Sequence, residues 1–78
     1  MNNLAELVKA RRDLPVPKMR RALREAAGVS QDAIAIAVGV HRMTVNRWES
    51  GRCEPTPAHV VAYAAIMRAL QDETRGQR

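Results

Sequence analysis

The stretch Gln31–Glu49, QDAIAIAVGVHRMTVNRWE, decides how this 78-residue sequence is read. Ser30 stands just before it, where a hydroxyl caps a helix by accepting from a backbone N–H one turn on. Gly39 interrupts it, where a tight turn needs a residue tolerant of positive φ. Read alone, Ala33–Val40 passes for a strand, because Ile34, Ile36 and Val38 alternate with other residues. Its alanines and the helix signals on both sides favour a helix from Gln31 to Val38. A second helix follows from Arg42 to Ser50, with Gly51 as its exit. Ile34, Val38, Val40, Val45 and Trp48 are the apolar positions that close this pair over one core, and Ala35 is small enough for a close crossing. Two short helices joined in this way form a helix-turn-helix.

At about 100° per residue, Arg42, Met43, Asn46 and Arg47 fall within one arc of the second helix, and Val45 and Trp48 fall opposite. Burying Val45 and Trp48 therefore turns the other four outward together. Arginine can bond guanine O6 and N7 as a fork, asparagine can do the same with adenine N6 and N7, and methionine can cover a thymine methyl. A merely solvated face has no need of these residue types. Asn46 can equally be a tolerated neighbour of such a surface, and Met43 a shape contact.

Outward from this pair, the chain reads as all-α. Asn3 and Glu6 resemble a capping box for a helix from Leu4 to Asp13 with a stripe of Leu4, Leu7 and Val8. Pro15 and Pro17 force an extended link. The next helix, Lys18–Ala27, has Met19, Ala22, Leu23 and Ala26 at helical spacing, with Lys18, Arg20, Arg21, Arg24 and Glu25 on the remaining positions. Thr56 and Pro57 open a last helix reaching about Asp72, with a fraying end after it. The division is residues 1–16 as N-terminal helix and link, 17–73 as helix-turn-helix domain, and 74–78 as frayed tail.

Thirteen Lys and Arg against eight Asp and Glu give a net charge of +5. That balance favours a polyanionic partner, nucleic acid first and an anionic membrane surface second. Trp48 and Tyr63 are the only aromatics, too few for the stacking platform of a single-strand RNA binder. Cys53 is the only cysteine, so no intramolecular disulfide forms, and no Cys/His cluster has zinc spacing. Ser30, Ser50, His41, His59 and Cys53 make no nucleophile–base set, and no Gly-rich loop offers a phosphate cradle. Neither an enzyme nor a cofactor is expected. The apolar runs are too short to span a bilayer and no signal peptide is legible, so the cytoplasm is the expected location.

From Leu23 to Leu70 the chain resembles the phage repressor and Cro-like (xenobiotic-response-element) helix-turn-helix family. The matching residues are Leu23–Arg24, Ala27–Gly28, Ser30–Gln31, Ala35, Gly39–Val40, Thr44–Val45 and Arg47–Trp48–Glu49. Gly51–Arg52, Pro55 and Tyr63–Ala64 continue the match. The resemblance implies a compact bundle of the lambda-repressor type, acting as a small transcriptional regulator. It implies base reading by Arg42, Met43 and Arg47, phosphate contacts by Gln31, Thr44 and Arg52, and a structural salt bridge between Arg24 and Glu49. The partner it implies is a double-stranded, palindromic DNA operator bound by a homodimer. The competing class is an antitoxin or an accessory module that also meets a protein partner.

Three departures bear on dimerisation. The family's further helix after the Tyr63-containing one has no room here, an extra helix precedes Pro15, and Ile36 takes a position that is usually polar. The first helix either pairs two chains or folds back to cover the last helix of its own chain.

Overall fold

A computed structural model describes residues 3–76. Five helices follow one another: α1 (Leu4–Asp13), α2 (Pro17–Ala26), α3 (Gln31–Val38), α4 (Arg42–Ser50) and α5 (Pro57–Gly76). The described residues contain no strand. Ala33–Val38 is helical because its ends are fixed locally. Ser30 Oγ accepts from the Ala33 N–H at 3.0 Å, and Gly39, at φ 88°, donates its N–H back to the Ala35 carbonyl. Asn3 caps α1 through Oδ1, which accepts from Ala5 and Glu6 at 3.0 and 3.3 Å. Pro17 opens α2 as its first residue, with Val16 extended before it. Its fixed φ suits the first helical position, where no N–H is needed. At the other end, α5 runs past Asp72 to Gly76, and an Asp72–Arg75 ion pair at 3.0 Å lies across its last turns. Residues 77 and 78 of the expected tail lie outside the described residues.

The main core gathers Ile34, Ala35, Val45, Trp48, Tyr63, Met67 and Leu70. Leu23, Ala27, Val29, Val38, Val40 and Ile66 close around it. Trp48 leans on Tyr63 with ring centroids 4.5 Å apart. A second cluster of Ala10, Val60 and Ala64, edged by Leu7, Leu14 and Val61, seats α1 on α5. The first helix therefore folds back within its own chain. Only Leu7 of the stripe turns inward, while Leu4 and Val8 stay exposed. Two polar ties reinforce this docking. Asp13 accepts from Lys9 at 2.9 Å and from Arg68 of α5 at 2.6 Å, and Arg11 donates to the Pro55 carbonyl at 3.3 Å.

The orientation of α2 differs from its apolar periodicity. Met19, Ala22 and Ala26 face solvent, whereas Arg20 and Arg24 are buried beside half-buried Leu23. Positions 20, 23, 24 and 27 make a helical face as good as 19, 22, 23 and 26, turned by about 100°. What selects the first face is the set of acceptors that the folded chain brings to it. Each nitrogen of both guanidinium groups donates a hydrogen bond there, and such side chains can lay their aliphatic stems along apolar surface.

Candidate nucleic-acid interface

The α3–α4 pair is joined by Gly39 and Val40, and both donate to the Ala35 carbonyl, at 2.8 and 2.9 Å. Val45 and Trp48 anchor α4 in the core, and Glu49 is buried at its inner edge. With these three turned inward, Arg42, Met43, Asn46 and Arg47 are all exposed, and Thr44 is half-buried. Arg42 Nε lies 3.7 Å from Asp32 Oδ1, a pair open to water on both sides and so weakly held. The α4 face thus offers two cationic forks, an amide and a thioether on one short rigid element.

Beside this face the start of α3 opens a concavity of about 610 Å³, lined by Arg21, Ser30, Gln31, Arg42, Asn46 and Glu49 among others. The α3 N-terminus contributes unpaired N–H groups and a positive dipole end. Gln31 is half-buried and donates from Nε2 to Glu49 Oε1 at 3.0 Å.

Under the groove, Arg24 donates from Nε to Glu49 Oε2 at 2.6 Å and from Nη2 to Oε1 at 3.0 Å. Its third nitrogen, Nη1, bonds the Val29 carbonyl at 2.9 Å. One guanidinium thereby ties α2, the loop before α3 and the end of α4. The hydrogen bonds that Arg24 donates to Glu49, with the charge of that carboxylate, hold the Arg24 pKa above the ordinary arginine value, against the opposing effect of burial. Arg52 is exposed in the turn after Gly51, and its N–H donates to the Arg47 carbonyl at 3.0 Å.

Two residues gain a place that periodicity did not suggest. Arg20 is almost wholly buried and bonds three separate segments. Arg21, paired with Glu25 at 3.0 Å, lies on the rim of the groove. The available signal for Arg20 was its place four residues before Arg24, on the same helical face. His41 forms the N-cap of α4 through its backbone and makes no side-chain cap bond. His59 lies near Trp48, with its Nδ1 3.3 Å from Thr56 Oγ1. Cys53 is exposed. Among the described residues no cluster of His, Cys, Asp or Glu is grouped to hold a metal ion, and no helix is long and apolar enough to cross a membrane.

Comparison with protein families matches a helix-turn-helix domain over residues 21–76. Comparisons with curated proteins and with solved structures gave no match. The matched span takes in the whole α3–α4 pair, its core and its free face, and covers more than half of the chain. This protein therefore belongs to the helix-turn-helix domain family of DNA-binding proteins.

Proposed function

We propose that this protein is a sequence-specific regulator of transcription, of the phage repressor or Cro-like kind, that reads double-stranded DNA with α4 in the major groove. The observation that carries this is the division of α4. Val45, Trp48 and Glu49 are buried, and Arg42, Met43, Asn46 and Arg47 are exposed together. In this reading Arg42 and Arg47 bond guanine edges, Asn46 meets an adenine and Met43 covers a thymine methyl. Gln31, Thr44 and Arg52 hold phosphates and set the register. The Arg24–Glu49 bridge braces the reading helix without touching DNA. Residues 17–73 carry the recognition, and α1 braces α5. The protein is non-enzymatic and works in the cytoplasm of a prokaryotic or phage-infected cell.

A homodimer on a palindromic operator completes the reading. Twofold symmetry would set the two copies of α4 about 34 Å apart, with half-sites centred roughly 10–11 base pairs apart. Leu7, Ile66 and Leu70 are taken up within the chain, so pairing relies on exposed apolar residues such as Leu4, Val8 and Ile36. The same exposure, 81% at Ile36, supports a second reading, an antitoxin or accessory module whose protein partner covers that patch.

Selection of bound sites from random duplex DNA, followed by binding titrations, tests the proposal. Arg42→Ala or Arg47→Ala should each cost about 1–3 kcal/mol on the selected site and relax preference at one guanine. Arg52→Ala should weaken selected and random sites alike. Equal losses on every sequence for Arg42 and Arg47 would reduce them to plain charge and end the reading. Binding to an isolated half-site as tight as to the full operator would remove the dimer.

A further inference from the structure

Arg20 does work that its place in the sequence does not announce. Its side chain is 4% exposed. Nε donates to the Pro15 carbonyl at 2.6 Å, in the link between α1 and α2. Nη1 donates to the Trp48 carbonyl at 3.0 Å, in the last turn of α4. Nη2 donates to Glu54 Oε1 at 2.9 Å, in the turn that follows. The Trp48 carbonyl is one that helix geometry leaves without a partner. The N–H four residues on, that of Arg52, bends back to the Arg47 carbonyl instead, as does the Cys53 N–H at 3.4 Å. Arg20 supplies the missing donor and sets a positive charge at the negative end of the helix. By also holding Glu54, whose side chain is half exposed, it ties the last residue of the turn Gly51–Glu54 to the end of α4. That turn carries the exposed Arg52.

We infer that Arg20 is a positioning residue for DNA binding: it aims the Gly51–Glu54 turn, and Arg52 with it, at the phosphate backbone without touching DNA itself. A planar fork with fixed donor directions can hold three acceptors on three segments, which a lysine ammonium on a flexible stem does not reproduce. The inference rests on the DNA-binding reading above for its functional half, and its structural half stands apart from it.

The full chain and its Arg20→Met, Arg20→Lys, Glu54→Ala and Arg52→Ala variants would be titrated with a selected duplex over a range of salt concentrations. Each phosphate contact contributes about 0.9 to the slope of log K against log salt. Arg52→Ala and Arg20→Met should each lower the slope by about that amount, and the Arg20→Met/Arg52→Ala double variant should lower it no further. Arg20→Lys should fail to restore it. Additive losses in the double variant, or an unchanged slope in Arg20→Met, would overturn the inference. If Arg20→Met does not fold, Glu54→Ala, which removes the acceptor of Nη2 and leaves the bonds to Pro15 and Trp48 in place, should still lower the slope, and an unchanged slope there has the same force. Amide exchange without DNA decides the structural half. The Arg52 and Cys53 N–H groups should exchange faster in Glu54→Ala than in the parent, while Gly39 and Val40 keep their rates. Unchanged exchange in the turn would refute the anchoring. A parent protein that binds no duplex would defeat the DNA reading alone.

Discussion

Replacing Arg24 by methionine isolates the interaction on which the α2–α4 junction depends. Its two bonds to Glu49 join side chains that are 11% and 3% exposed, so water can do little to replace the lost partner. Without Arg24, the Glu49 carboxylate keeps a single donor, Gln31 Nε2. Leaving one member of a buried pair unpartnered costs about 3–5 kcal/mol. A chain of 78 residues at about 0.05–0.15 kcal/mol per residue has a total stability of roughly 4–12 kcal/mol. The single substitution therefore removes a large share of it and lowers Tm by about 12–40 °C. Changing Glu49 to leucine at the same time removes the stranded charge. The double variant Arg24→Met/Glu49→Leu should then lie within about 2 kcal/mol of the parent, set mainly by the Val29 carbonyl and Gln31 amide that lose partners. Urea unfolding of the four proteins, followed by circular dichroism, gives the coupling energy directly. Additivity within about 0.5 kcal/mol would refute the buried-pair argument. So would a cost below about 1 kcal/mol for Arg24→Met, the value of a solvated pair.

Two further outcomes are expected. Gly39→Ala places a Cβ in open space, so its cost comes from the φ of 88° alone, about 1–2 kcal/mol and less for Gly39→Asn, measurable by the same unfolding experiment. Burial pushes the Tyr63 phenol up to about 12, whereas an unfolded tyrosine ionises near about 10. The native state thus holds its proton where the unfolded state has lost it, and stability should fall as pH rises from about 10 to about 12; a Tyr63→Phe variant with an equal fall over that window would assign the loss to other groups.

Much of the helix framework was legible because helix ends are local events. Asn3, Pro17, Ser30, Gly39, Gly51 and Pro57 act on the backbone within a few residues of themselves, so their positions in the chain carry the information. The free face of α4 was legible for a related reason. Val45 and Trp48 are three apart on a helix of nine residues, and burying them leaves one arrangement for the rest.

The burial of Arg20 and Arg24 was decided only by the folded chain. Near the chain itself, α2 offers two helical faces of similar periodicity, and the more apolar one, with Met19, Ala22 and Ala26, ends up in water. A buried guanidinium is stable only where several acceptors converge on it. Those acceptors are the Trp48 carbonyl, Glu49 and Glu54, more than 20 positions away in the sequence, together with the Pro15 and Val29 carbonyls at the two ends of α2. The docking of α1 was settled in the same way, by the small residues Ala10 and Ala64 meeting across a helix pair, where the exposed Leu4 and Val8 had been the stronger pattern. Caps and turns are written in neighbouring residues. Which face a charged helix buries depends on partners that only the tertiary fold brings within hydrogen-bonding distance.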